Sequence, residues 1–187
     1  MEAMIDSKRW MTDLTVKLVD AFDSRLLFVG LQGSYRRKEA TGTSDIDVVA
    51  ILDTVTLADL RTYRGIIASM PHAQLACGFF GGREELRHWP HYELFQLMQD
   101  TQTYYGELAP LLPPITPGDV AEGIRIQASA LYHSLIHTYL YGSERERLLA
   151  LRTAYKSSFF LLMPLHWLRT GICLTTRQAL CAALNGE

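Results

Sequence analysis

Apolar positions change their spacing several times along the chain. Between residues 3 and 23, Trp10, Met11, Leu14, Leu18 and Phe22 recur at three- and four-residue steps, which predicts an amphipathic helix. The run LLFVGLQGS (26–34) is short and continuous, as in a buried strand that ends in a turn at Gly33. A second buried strand is predicted from Asp45 to Leu52. Thr56 and Asp59 mark a capped helix start, and Leu57, Leu60, Arg64 and Ile67 trace one stripe of that helix, which Met70-Pro71 ends. Two further strands are predicted, QLACGFFGG (74–82) and ELFQLMQDT (93–101), separated by a polar turn region at 83–92.

The segment APLLPPITP (109–117) carries four prolines in nine positions. Proline removes backbone donors and breaks helices, so this composition suits a connection between domains. Downstream the spacing is helical throughout. Thr116, Pro117 and Asp119 open a helix that reaches Tyr141 and stops at Gly142. The capping box SERE then opens a second long helix, to Arg169, with a kink expected at Pro164 and an end at Gly171. The last piece, TTRQALCAALNGE, spans only about two helical turns. A helix that short needs partners, which leaves two expectations: the chain stops before its natural end, or the helix docks on a second subunit in a homodimer. The plan is α+β, with an α/β unit over 1–109, a Pro-rich connection at 110–117 and an all-α bundle over 118–187. No internal repeat is visible.

Composition narrows the partners. With 18 basic against 20 acidic residues the net charge is -2, so the basic surplus that extended nucleic acid requires is absent. Cys77, Cys173 and Cys181 form no C-x-x-C pair and read as reduced thiols of a cytoplasmic protein. MEAMIDSKRWM carries charges where a signal peptide needs its apolar region, and SSFFLLMPLHWL is too short to span a bilayer; neither secretion nor membrane insertion is expected.

The chemistry concentrates in residues 31–52. Side chains alternate along a strand, so Asp45 and Asp47 project to one face about 6.5–7 Å apart along the backbone. Two such carboxylates would raise each other's pKa unless a cation joins them, and Mg²⁺ suits them because it takes a few carboxylates together with substrate phosphates. Gly33 and Ser34, at the turn after the preceding strand, offer backbone donors and a hydroxyl to a phosphate, and Arg36, Arg37 and Lys38 add positive charge. The alternative is a solvated acidic strand start that follows an ordinary Gly-Ser turn.

A Gly-Ser pair at a strand-to-helix turn, followed by SDIDVVAIL, resembles the signature of the DNA polymerase beta-like nucleotidyltransferase superfamily. The resemblance implies a mixed β-sheet flanked by helices, with Asp45 and Asp47 binding two Mg²⁺ ions that carry a nucleoside triphosphate. Gly33 and Ser34 would hold the phosphates, and Arg36, Arg37 and Ser44 join them as nucleotide-binding candidates. Small-molecule members, such as aminoglycoside and lincosamide nucleotidyltransferases, similarly place a helical bundle after the catalytic domain. They transfer a nucleoside monophosphate to a hydroxyl and release pyrophosphate.

The family pattern adds a third carboxylate on a neighbouring strand, often the base toward the acceptor hydroxyl. QLACGFFGG has no acid. Asp100 is the best replacement if its strand pairs beside the Asp-x-Asp strand, ahead of Glu93, Glu84 and Glu85. Lys156 is the candidate for a helical lysine that reaches the triphosphate, with a lysine snorkelling from a packed helix as its alternative. His133 and His137 lie four apart but lack the glutamate of H-E-x-x-H, so packing or substrate contact is expected there. Tyr132, Tyr139 and Tyr141 are expected mostly in the core. Two other readings stay open: a component of a toxin–antitoxin pair related to minimal nucleotidyltransferases and HEPN bundles, and a degenerate nucleotide-binding module.

Overall fold

The computed structural model describes residues 5–184. Positions 3 and 4 of the predicted first helix, the start of the segment compared with a signal peptide, and residues 185–187 of the last piece lie outside the described residues. The chain divides into two compact units, one holding the residues up to Trp89 together with Asp100–Pro113, the other Pro90–Gln99 and the residues from Pro114 onward.

The first unit is built on a mixed four-stranded sheet of β1 (Leu26–Gln32), β2 (Ile46–Leu52), β3 (Ala76–Gly82) and β4 (Gln102–Gly106), in the order β3-β2-β1-β4. β1 runs antiparallel to both β2 and β4, whereas β2 and β3 are parallel. One sheet face takes the stripe of α1 (Ser7–Phe22): Met11, Leu14 and Leu18 are buried against Val29, Leu31, Val48 and Ala50. That interface removes apolar area from water at about 25 cal/mol per Å². Asp6 caps α1 by accepting from the Arg9 N–H at 3.0 Å.

α3 (Leu57–Ala68) starts with the predicted capping box, in which the Asp59 carboxylate accepts from the Thr56 N–H at 2.8 Å. Its predicted stripe is turned. Of that stripe only Ile67 packs on the core, beside Tyr63 and Ile66, whereas Leu57, Leu60 and Arg64 are exposed and Asp59 is buried. The reason is an ion pair: Arg25, ahead of β1, reaches Asp59 at 2.8 Å and draws that side of the helix inward.

Three other expectations change. Residues 93–101 are not a strand; 93–99 lie in α5 (His91–Gln99), which belongs to the second unit. A short apolar run does not separate strand from helix by period, and Glu, Leu, Gln and Met are good helix formers. The 83–92 region contains a helix, α4 (Arg83–His88), where Glu85 accepts from the Gly82 N–H at 2.9 Å. The edge strand β4 was not foreseen, being only five residues long.

The second unit comprises α5, α6 (Pro117–Tyr141), α7 (Glu144–Thr170) and α8 (Arg177–Leu184). Thr116 and Ser143 form the predicted capping boxes with Asp119 and Glu146. Pro164 lies inside α7, which runs on to Gly171, whose φ of 73° suits a left-handed cap. Phe95, Val120, Phe159, Met163 and Leu180 form the core, and Trp167 packs on Phe95 at 4.7 Å. Gly123 lets α6 approach Tyr92 closely. Tyr132, Tyr139 and Tyr141 are exposed rather than in the core, because α6 buries Val120 and Gly123 near its start. No helix among the described residues is long and apolar enough to cross a membrane.

Candidate active site

The site forms where β1 ends and β2 begins. After Gln32 the backbone turns at Gly33, with φ +71°, into the single-turn helix α2 (Gly33–Arg36). Gln32 pairs with Asp47 in the antiparallel register, which brings the Asp47 carboxylate over the turn. A methyl group on Gly33 would overlap Asp47 Oδ2, so this position combines a left-handed backbone with a close approach that only glycine allows.

Asp47 is half-buried and Asp45, just ahead of β2, is exposed. Burial, and then the negative charge of Asp45, push the Asp47 carboxyl up to about 6; Arg37 opposes the shift and Asp100 adds to it. These carboxylates therefore share one electrostatic neighbourhood that favours added positive charge. Hard oxygen donors paired in this way fit Mg²⁺. Among the described residues no group of three or more His, Cys, Asp and Glu side chains forms a metal cage. Further donors would have to come from phosphate and water.

Asp100 reaches this neighbourhood by another route than the expected one. It precedes β4, which pairs with β1, so no strand carries it to the flank of β2. It is buried and joined to Arg37 through Oδ2, which also accepts from the Gly33 N–H at 3.3 Å, while Arg36 stands 3.6 Å from Oδ1. Oδ1 is buried without a hydrogen bond. Burial raises the Asp100 carboxyl, against the pull of Arg37, Arg36 and the Gly33 N–H. Arg37, itself buried, also meets Glu39 at 3.2 Å. This network lies beyond sequence reasoning: Arg37 and Asp100 are 63 positions apart.

Ser34 is half-buried in α2, and its carbonyl accepts from the Glu39 N–H at 2.8 Å. The Ser44 hydroxyl accepts from the Thr41 N–H at 2.9 Å and shapes the turn that feeds β2. Glu84 and Glu85 serve α4, the former paired with Arg87. Glu93 accepts from the Tyr92 hydroxyl at 3.1 Å in the second unit, where Lys156 lies exposed on α7. His133 and His137 are exposed neighbours, 6.1 Å between ring centroids. Cys77 is the register partner of Asp47 on β3, so by alternation it shares the Asp47 face, where β3 offers no acid.

Solved structures similar to this chain include the following three. The spectinomycin adenyltransferase AAD(9) from Enterococcus faecialis, with ATP and spectinomycin, is 16% identical; the match covers 90% of this chain and 79% of that one, with a TM-score of 0.51. A toxin–antitoxin with AMP-PNP is 15% identical, covering 69% and 94%, at a TM-score of 0.39. A mutant of the toxin–antitoxin MntA-HpeT is 12% identical, covering 73% and 95%, at 0.37. No curated protein matches the chain. The nucleotidyltransferase domain family matches residues 16–94, which run from within α1 into α5 and contain the whole Gly33 and Asp45–Asp47 region. Residues 16–94 are therefore similar to a nucleotidyltransferase domain, and the mixed sheet is the one that the Gly-Ser and Asp-x-Asp signature implied.

Proposed function

We propose that the protein is a Mg²⁺-dependent nucleotidyltransferase that moves a nucleoside monophosphate from an NTP to a hydroxyl of a small molecule or protein and releases pyrophosphate. The observation that carries this reading is the placement of Asp47 against Gly33, with Asp45 beside it and its own proton held to about 6. Asp45 and Asp47 would hold Mg²⁺, whose chemistry when bound is to neutralise phosphate charge. The Gly33–Ser34 turn receives the β- and γ-phosphates, and Arg36 supplies positive charge at its mouth. Arg37 is buried, so it acts by fixing the turn. Ser44 is proposed to shape the entry to β2.

Asp100 was expected to activate the acceptor hydroxyl. Its bonds to Arg37 and the Gly33 N–H support a different proposal, that of a positioning residue that anchors the phosphate turn. Phosphoryl-group transfer depends mainly on positioning and charge neutralisation, so such an anchor bears on rate as well as on folding.

ATP and spectinomycin are the first ligands to test, since the spectinomycin adenyltransferase of similar fold was solved with both. Calorimetry with Mg²⁺-ATP and Mg²⁺-GTP should show binding that disappears in Asp45→Asn plus Asp47→Asn. Undiminished binding in that double variant would reject the metal assignment. A second reading, nucleotide binding without turnover, is supported by β3, where Cys77 stands opposite Asp47 and no carboxylate is present. Binding without pyrophosphate release would favour it.

A further inference from the structure

The paired helices α6 and α7 bury their packed residues at one end only. Val120 and Gly123 lie near the start of α6, and Phe159, Met163 and Pro164 lie in the later half of α7. The intervening hairpin exposes apolar side chains at helical spacing: Tyr132, Ile136 and Tyr139 on α6, and Leu148, Leu151 and Tyr155 on α7. These two stripes share one face. Arg147 of α7 lies 5.3 Å from the Tyr139 ring centroid, and Leu151 and Tyr155 follow Arg147 at four-residue steps.

Such a face does not resemble an ordinary solvated surface. From Ile126 to Tyr141 the chain contains no Asp, Glu, Lys or Arg, whereas a solvated helix normally carries charge on its outer side. Tyr132, Tyr139 and Tyr155 are 69%, 67% and 72% exposed. At about 150–250 Å² per aromatic side chain, these three alone leave roughly 300–500 Å² uncovered, as large as the biggest apolar patch of a typical monomer. Adding Ile136, Leu148 and Leu151 brings the face toward the ~800 Å² per partner of a standard interface.

We propose that a second copy of this chain covers that face, the two hairpins pairing about a two-fold axis into a four-helix bundle. The spacing of three and four residues on both helices is that of helix-on-helix packing. The α6 side of the face carries no charge and meets its own copy without like-charge repulsion, while Arg147, the charge that α7 brings beside it, lies over the Tyr139 ring of its own chain. A two-fold axis makes one patch serve both sides. This proposal is independent of the activity assigned to the other unit.

Sedimentation equilibrium of the full chain tests it. The expected result is twice the chain mass, with association weakened about tenfold or more by Tyr139→Lys plus Leu151→Lys, since burying an uncompensated charge at an interface is costly. Both positions are exposed in the single chain, so unchanged far-UV circular dichroism should accompany the loss. A monomer at every concentration, a monomer that associates only with a different protein, or a dimer that the double variant leaves intact would overturn the proposal.

Discussion

Asp47 couples the fold to the chemistry at the scale of one residue. Its carboxyl is raised from the ordinary value of 3.8 to about 6, so the folded state holds the proton more tightly than the unfolded chain does. The contribution favours folding at low pH and is lost as pH climbs through about 6. Asp47→Asn should therefore raise the melting temperature of the metal-free protein at pH 7.5 and change it little near pH 4; thermal scans at the two pH values check this. Mg²⁺ should stabilise the parent protein at pH 7.5 more than the Asn variant. Gly33→Ala forces a side chain into a left-handed backbone at a cost of about 1–2 kcal/mol and pushes on Asp47 Oδ2. Weaker Mg²⁺-nucleotide binding should accompany the lost stability, as denaturation and calorimetry would show. Asp100→Ala leaves the buried Arg37 without its main carboxylate. Removing one partner of a buried pair costs about 3–5 kcal/mol, and chemical denaturation measures that loss.

Elements were legible in the sequence where local signals agreed with tertiary demands. The Thr56, Thr116 and Ser143 capping boxes were found at their predicted places, as were β1, the Gly33 turn and β2, because cap chemistry and continuous apolar runs act over a few residues. The strand assigned to 93–101 failed because Leu94 and Phe95 satisfy either period, and only their burial in a helical environment decides for α5. The rotation of α3 was hidden for a related reason: Asp59 is both a cap and the partner of Arg25, and the second role requires a residue 34 positions away. Asp59→Ala should remove cap and ion pair together. Loss of a cap of about 1 kcal/mol alone lowers the melting temperature by about 2–4 °C in a chain of this size. A drop no larger than that of Thr56→Ala would show that the Arg25 contact adds nothing.

For the whole molecule, the proposed chemistry and the proposed assembly fall to different parts of the chain. The β1–β2 corner presents Gly33, Ser34, Asp45 and Asp47 from a rigid sheet, the arrangement that a positioning-dominated reaction needs. The helical unit presents a tyrosine-rich hairpin whose α6 side carries no charged residue from Ile126 to Tyr141, the face proposed for association. The candidate site was readable as a motif because Gly-Ser and Asp-x-Asp lie within one β-hairpin. The anchor formed by Arg37 and Asp100 was not, because it depends on β4 joining the sheet beside β1. Pyrophosphate release from ATP, in the presence of Mg²⁺ and a panel of hydroxyl-bearing acceptors, tests the central claim most directly. The account predicts acceptor-dependent pyrophosphate from the parent protein and none from Asp45→Asn plus Asp47→Asn. Equal release from the double variant would contradict it.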